Sequence, residues 1–249
     1  MLPKGHAPRV GTAGWSIPKQ HAAEFPAEGS HLQRYAARLP AVEINSSFYR
    51  PHRAATYARW AASVPDDFAF AVKVPKDLTH ARRLRDPAEP LERFLGECGA
   101  LGPKLGVLLV QLPPSLRFDA DDAGGFFALL RERHEGPVAC EPRHATWFAP
   151  DAERLLADFR VARVAAHPPA GAAEAARPGG WEGLVYYRLH GSPRVYYSPY
   201  APERLRETAA ALAAHAARGT PAWCVFDNTA LGYATADALA VMQGLNGGD

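Results

Sequence analysis

A carboxylate stands in the middle of a short apolar run near the start of the chain. Glu43 lies between Val42 and Ile44, in a segment typical of a buried strand. Successive residues of a strand point to opposite faces, so Glu43 points away from its two apolar neighbours and toward a protein interior. A buried charge is costly unless it is paired or hydrated. Glu43 is therefore a candidate for moving a proton, binding a metal ion or pairing with an arginine.

Other charged side chains end apolar runs in the same way. Lys73 shares one face of its run with small alanines, and Glu141 shares a face with Arg143. Arg188 and His190 point to the same side of a third run. Mixed charges in one cleft shift each other's pKa values, as acid/base catalysis requires. Neutral or acidic groups at further run ends are Asn45, Gln111, Asp227 and Asn228.

The residue types predict distinct roles in catalysis and binding. Glu43 and Glu141 are candidate general acids or bases, and His190 is a candidate proton shuttle. Lys73 and Arg188 are candidates for holding a phosphate or carboxylate group, the arginine through a two-point fork. No metal ligand and no cofactor is assigned. The other predicted substrate contacts are Trp15, Asn45, Tyr49, His80, Gln111, Arg143, Trp147, Asp227 and Asn228.

A structural role is the alternative for each of these residues. Buried arginine–glutamate pairs also stabilise barrels without any part in catalysis, and Glu141 with Arg188 could form such a pair. The aromatic residues that follow strands, such as Trp15 and Trp147, can stack on a sugar or base, but they can equally pack the loops. The repetition of charges at several strand ends favours an active site over a set of structural pairs.

Short apolar runs alternate with longer helical patterns along the whole chain, which predicts βαβ units and a parallel sheet. Eight such units in 249 residues match the count and size of a (β/α)8 TIM barrel, here one domain over residues 1–249. The sixth helix is short or replaced by a loop, because residues 168–181 are rich in Ala, Pro and Gly. The predicted strands are 10–14, 41–45, 68–74, 105–111, 138–141, 161–166, 184–189 and 222–226.

Composition limits the classes of protein to which the chain can belong. The net charge of +2 argues against a strongly basic nucleic-acid surface. No apolar run approaches the roughly 18–20 residues of a membrane helix, and residues 1–6 lack the apolar stretch of a signal peptide. The three cysteines form no CxxC pair and are expected to be reduced and buried. We therefore expect a cytoplasmic protein with no membrane partner, and its oligomeric state stays open.

At these same residues the chain resembles the YecE-like family, a domain of unknown function (number 72). The resemblance implies a TIM barrel, in agreement with the strand count, and it supplies no reaction. Eight short motifs carry it in order along almost the whole chain, and together they are specific. They are GTAGW at 11–15, VEINSSFY at 42–49, FAVK at 70–73, TH at 79–80, QLPP at 111–114, ExRHxxW at 141–147, YRLHG at 187–191 and FDNT at 226–229. Pro142, inside the sixth motif, departs from the aromatic residue common in the family.

Three functions are compatible with these residues. The leading hypothesis is an acid/base enzyme, a hydrolase, lyase or isomerase, acting on an anionic small molecule that carries phosphate or carboxylate. The second is a divalent-metal phosphodiesterase acting on nucleic acid, with Glu43, Glu141, His190 and Asp227 as ligands. The third is a non-enzymatic nucleic-acid or protein binder that uses a basic surface such as Arg82, Arg83 and Arg85.

Overall fold

The apolar runs form the strands of one sheet in the computed structural model, which describes residues 7–247. Residues 1–6, on which the expectation about a signal peptide depends, lie outside this range. Within it there are ten strands. They are β1 (Arg9–Ala13), β2 (Ala41–Ile44), β3 (Ala69–Lys73), β4 (Leu105–Gln111), β5 (Val138–Glu141), β6 (Val161–Arg163), β7 (Ala165–His167), β8 (Gly179–Gly180), β9 (Val185–Leu189) and β10 (Ala222–Phe226).

Helices connect most of these strands, and two of the helices begin with residues that cap the free backbone N–H groups. Ser30 and Gln33 form a reciprocal capping box at the first helix, and Asp119 accepts hydrogen bonds from the backbone at the start of the fifth. The described α-helices are α1 (His31–Ala36), α2 (Ser46–Tyr49), α3 (Ala54–Ala62), α4 (Ala88–Cys98), α5 (Ala120–Arg133), α6 (Pro150–Asp158), α7 (Pro202–Ala217) and α8 (Tyr233–Asn246).

The strands close into a barrel, which confirms the predicted TIM-barrel fold. The order is β7-β9-β10-β1-β2-β3-β4-β5-β6-β8, and all neighbours are parallel except β6 and β8. The predicted sixth strand, 161–166, is two short strands separated by Val164. β6 pairs with β5 and β7 pairs with β9, so this bent segment joins the two sides of the sheet.

The connection after β7 contains no α-helix, as the sequence predicts. A short 3-10 helix (Ala173–Ala176) and the two-residue strand β8 take its place. β8 pairs antiparallel with β6 and therefore lies outside the parallel barrel. The Gly- and Ala-rich composition of this segment explains the absence of a packed helix, since it has few large apolar side chains to bury.

One apolar layer lies outside the strands and another lies inside the barrel. Together they determine which way the polar residues point. Val42 and Ile44 pack in the outer layer against the helices, whereas Ala41 belongs to the inner layer. The inner layer is closed by Tyr186 and Trp223, whose rings stack with centroids 5.9 Å apart. Glu43 has the inward orientation that the alternation predicts, and it lies above this stacked pair toward the carboxyl ends of the strands.

The three cysteines, Cys98, Cys140 and Cys224, are free and buried. Burial raises the pKa of each of these thiols. Among residues 7–247 no helix combines the length and apolar character that a membrane span requires.

Candidate active site at the carboxyl ends of the strands

Arg188 lies at the centre of the polar cluster and is completely buried. It lies on β9, two residues after Tyr186, and both side chains point into the barrel. Its Nε donates to Glu43 Oε2 at 3.0 Å, and its Nη2 donates to Glu43 Oε1 at 2.6 Å. This two-point contact joins β9 to β2 across the barrel. Tyr186 Oη also donates to Glu43 Oε2 at 2.9 Å, so both oxygens of Glu43 are occupied.

Glu141, at the end of β5, is the second carboxylate bound to Arg188. Arg188 Nη1 donates to Glu141 Oε2 at 2.6 Å, and Gln111 Nε2 donates to the same oxygen at 3.2 Å. Arg143 donates to Glu141 Oε1 from Nε at 3.0 Å and from Nη2 at 2.9 Å. Burial raises the pKa of Glu141, but the charges of Arg188, His190 and Arg143 outweigh it and hold this pKa well below the usual value.

His190 lies between the second carboxylate and a third one, Asp227. Its Nδ1 is 3.1 Å from Asp227 Oδ2, the atom to which Arg188 Nη2 also donates at 3.1 Å. Its Nε2 is 3.3 Å from Glu141 Oε1 without the alignment of a hydrogen bond. Burial lowers the pKa of His190, but Glu141 and Asp227 together outweigh burial and raise it. The imidazole therefore lies between two carboxylates that favour its protonated form.

Lys73 is the one member of this group whose charge is left unpaired. Its ammonium makes no hydrogen bond or ion pair with any residue in 7–247, although only 6% of the residue is exposed. The Nζ atom lies 4.2 Å from the centroid of the Phe48 ring. Burial, and then the charge of Arg188, lower the pKa of Lys73 to about 8, against the opposing effect of the three carboxylates.

The backbone around Lys73 is fixed by the helix that follows β2. Ser47 Oγ donates to the carbonyl oxygen of Lys73 at 2.7 Å and contacts that of Ile44 at 2.9 Å. Phe48 follows Ser47 in α2, so the same short helix holds the Lys73 backbone and places an aromatic ring against its side chain. The VEINSSFY motif therefore contributes both to the buried ion pair and to the setting of the lysine.

His80 lies in the single π-helical turn Asp77–Ala81 that follows β3, and it also contacts Phe48. Its ring packs edge-on against Phe48, with centroids 5.0 Å apart, and its Nδ1 is 2.8 Å from Thr79 Oγ1. Burial, and then the charge of Lys73, lower the pKa of His80 to about 4. Its imidazole is therefore neutral at neutral pH and is a weak base.

The loops after β9 and β10 are tied together by Asn228. Its Nδ2 donates to the backbone oxygen of Ser198 at 2.9 Å and to Asp237 Oδ2 at 2.7 Å. Gly191 permits this approach, because a Cβ there would lie 2.9 Å from Asn228 Cβ and 2.7 Å from the Ser198 oxygen, at a φ of +93°. The Oδ1 atoms of Asn228 and Asn45 are buried and find no partner among the described residues.

The three predicted aromatic contacts lie in different settings. Trp147 is buried, and its Nε1 donates to the Leu116 backbone oxygen at 3.0 Å, so it packs the loop core. Trp15 is half-buried and packs edge-on against Trp60 with centroids 5.0 Å apart. Tyr49 is 78% exposed. Trp15 and Trp147 thus pack against other residues of the loops, and Tyr49 faces solvent.

One residue of the cluster lies outside the set predicted from the sequence. Tyr186 donates to Glu43 from inside the barrel, and its orientation follows from the alternation that places Arg188 and His190 inward. The same parity argument could have identified it. Another aromatic residue, Tyr196, packs edge-on against His190 with centroids 5.8 Å apart. Its position depends on the loop after β9, which strand parity does not describe.

The setting of the carboxylates differs from that of a divalent-metal site. Glu43, Glu141 and Asp227 all accept hydrogen bonds from the Arg188 guanidinium, which occupies the space between them. A cation in that position repels a metal ion. No group of three or more His, Cys, Asp or Glu side chains in the described range is arranged to hold a metal.

The basic segment proposed as a binding surface is largely paired with acidic or polar neighbours. Arg82 Nε donates to Asp77 Oδ2 and Arg85 Nε to Asp122 Oδ2, each at 2.8 Å. Arg83 donates to the side chain and backbone of Ser115. These contacts reduce the positive charge that the segment presents to a polyanion.

Comparisons with known proteins agree with this architecture. A family model described as "Protein of unknown function DUF72" matches residues 9–248. UPF0759 protein YunF of Bacillus subtilis is 27% identical over 150 residues, 57% of this chain and 52% of that protein. UPF0759 protein YecE of Escherichia coli K12 is 30% identical over 104 residues, 42% of this chain and 37% of that protein. The chain thus spans about half the length of these relatives or less.

Two solved structures share the fold over almost the full chain. A DUF72 family protein from Enterococcus faecalis superposes with a TM-score of 0.80 at 20% identity, covering 96% of this chain and 95% of that one. One from Thermotoga maritima gives a TM-score of 0.77 at 24% identity, covering 97% and 100% of the two chains. The barrel with its charged carboxyl end, the motifs and the family match lead to one conclusion: the chain belongs to the DUF72 family.

Proposed function

We propose that the protein is an acid/base enzyme that binds an anionic small molecule, bearing phosphate or carboxylate, at the carboxyl end of the barrel. The observation that carries this proposal is the unpaired ammonium of Lys73 beside a cluster in which the other charges are paired. An anion supplies the partner that Lys73 lacks. Arg143 borders the same site and its side chain is 21% exposed, so it can contact the same anion.

Glu43 and Arg188 have a supporting place in this proposal. The sequence suggested that Arg188 holds the substrate anion, yet its guanidinium makes four hydrogen bonds to three carboxylates. Both oxygens of Glu43 are likewise occupied. In this proposal the Glu43–Arg188 ion pair is a rigid structural support that orients Glu141 and Asp227. Lys73, Arg143 and His190 are then the groups left to contact substrate.

Proton transfer is assigned to His190. The neighbouring carboxylates raise the pKa of this imidazole, so it is suited to donate a proton as a general acid. Burial, and then the charge of Lys73, lower the pKa of His80 to about 4, which makes its imidazole too weak a base for this role.

Calorimetric titration with inorganic phosphate and with a phosphorylated sugar tests the proposal. A charge-assisted hydrogen bond contributes enough that Lys73→Met and Arg143→Gln should each weaken binding by about tenfold or more. Lys76→Met, which removes an exposed lysine three residues away, serves as the matched control and should leave the affinity unchanged. Binding that survives both site substitutions, or no binding by the unaltered protein, would overturn the proposal.

A further inference from the structure

We propose that Lys73 forms an imine with a small carbonyl compound that also carries an anionic group, either an oxo acid or a phosphorylated aldehyde or ketone. This inference rests on the proposed function and deepens it, because it assigns a nucleophile to the same site. The anionic group would contact Arg143, and the carbonyl carbon would lie against the Lys73 nitrogen. Lys73 thus becomes a catalytic residue, and Arg143 is the cation that holds the anionic group.

The setting of Lys73 is that of a nucleophile more than that of a structural cation. A buried structural lysine normally pairs with a carboxylate or donates to backbone oxygens. Lys104 does so, with its Nζ donating to the Ala61 oxygen at 2.8 Å and to the Val64 oxygen at 2.7 Å. The Lys73 ammonium has no such contact within residues 7–247, and it lies over the face of Phe48, 4.2 Å from the ring centroid.

Burial and the nearby charge of Arg188 increase the fraction of Lys73 present as the neutral amine, which is the form that attacks a carbonyl. Desolvation and a neighbouring cation are the two features that activate lysines for imine formation, and Lys73 has both. Its pKa of about 8 agrees with this geometry. The charged or titratable groups that face it from the other elements are Glu43, Glu141, Arg188, Asp227 and His80.

The reaction balances without any oxidant or reductant. The lone pair of the neutral Lys73 amine forms a carbon–nitrogen bond while the carbonyl π pair moves to oxygen. One proton passes from nitrogen to that oxygen, and a second proton reaches it from an acid such as His190. The oxygen then leaves as water, and one amine, one carbonyl and one proton have become one iminium ion and one water molecule.

Reduction with borohydride tests the inference, because it converts the imine into a stable secondary amine that mass spectrometry locates. The full-length protein would be incubated with pyruvate or with dihydroxyacetone phosphate, reduced, digested and mapped. The chain has only five lysines, Lys4, Lys19, Lys73, Lys76 and Lys104, so the site of attachment is unambiguous. Near pH 7.5 an amine with a pKa of about 8 is neutral roughly a hundredfold more often than an ordinary exposed lysine, so even with its lower intrinsic nucleophilicity Lys73 should be labelled at least about tenfold faster than Lys76.

Two variants separate nucleophilicity from charge and from folding. Lys73→Arg keeps the cation but cannot form the adduct, so labelling should disappear while phosphate binding is retained. Lys76→Arg should change neither. The two substrates distinguish the sources of the anion: labelling by pyruvate alone indicates an oxo acid, and labelling by the phosphorylated ketone alone indicates a sugar phosphate.

The outcomes also separate this inference from the proposed function. Equal labelling of all accessible lysines, or no adduct at Lys73 with either compound, would overturn the imine while phosphate binding that depends on Lys73 would still support the anion site. An adduct at Lys73 in a protein that binds no anion would support the nucleophile and contradict the anion site.

Discussion

Arg188 and Glu43 form a two-point ion pair inside the barrel, with nitrogen–oxygen distances of 2.6 and 3.0 Å and neither residue exposed. The pair joins strands β9 and β2 from opposite sides of the barrel interior. Because Arg188 also binds Glu141 and Asp227, the orientation of these two carboxylates depends on this contact.

Breaking the pair should destabilise the protein strongly. Glu43→Gln leaves a buried guanidinium short of one negative charge, and removing one partner of a buried pair costs about 3 kcal/mol or more of unfolding free energy. Urea denaturation monitored by circular dichroism measures this loss. Asp151→Asn breaks an exposed pair with Arg154 and should have no measurable effect. A Glu43→Gln loss as small as that of the control would contradict the structural role of the pair.

The hydroxyl of Tyr186 should contribute separately to the same carboxylate. Tyr186→Phe keeps the ring that stacks on Trp223 and removes only the donor to Glu43 Oε2. A hydrogen bond to a charged group contributes about 1.5–3 kcal/mol, so the unfolding free energy should fall by that amount. Tyr187→Phe, on the outward side of the same strand, is the control with the smaller expected loss, since its hydroxyl is only half-buried and contacts His215. Equal losses for the two variants would show that the Glu43 contact has no special weight.

The stability of the protein should depend on the protonation of His190. Its pKa is raised in the folded protein, so its contribution is complete below the unfolded value of about 6.5 and is lost as the pH rises through the folded value. His190→Gln should therefore destabilise the protein most in mildly acidic solution and less in alkaline solution. Denaturation curves of both proteins across this pH range measure the difference. The exposed His31→Gln serves as control, and a His190 effect that grows with pH would contradict the assignment.

Glu141 and Asp227 should produce the opposite dependence in acid. The pKa of each is lowered in the folded protein, mainly because Arg188 and His190 overcome the effect of burial. Their contribution is present above the unfolded values of about 4 and is lost as the pH falls through the folded values. Asp227→Asn should therefore reduce the dependence of stability on pH in strong acid, which acid titration followed by fluorescence can detect. An unchanged acid transition would show that Asp227 keeps its ordinary pKa.

Strand parity was sufficient to predict the position of the cluster but not its pairing. Side chains alternate between the two faces of each strand, and this alternation places Glu43, Lys73 and Arg188 on the inner face. Their common location therefore follows from the sequence. Which carboxylates Arg188 contacts depends on side-chain reach across the barrel, and no local pattern contains that information. For the same reason the sequence assigned the anion to Lys73 and Arg188 together, whereas in the structure Arg188 is paired with three carboxylates and Lys73 has no such partner among residues 7–247.

Two features of the fold were only partly predictable. The sixth strand, 161–166, reads as one apolar run, and its division at Val164 arises because its two halves pair with different neighbours, β5 and β9. Trp147 follows a strand as a binding residue would, yet it packs under the loop beside Phe118. Both outcomes depend on contacts between distant parts of the chain, which composition and spacing do not describe.

The crystal structure of the protein soaked in phosphate is the most direct test of an anion site at the barrel mouth. We expect phosphate density within hydrogen-bond distance of Lys73 Nζ and Arg143, and no such density in crystals of Lys73→Met treated in the same way. A divalent cation coordinated by Glu43 and Glu141, or phosphate bound only at sites remote from Lys73, would contradict the account.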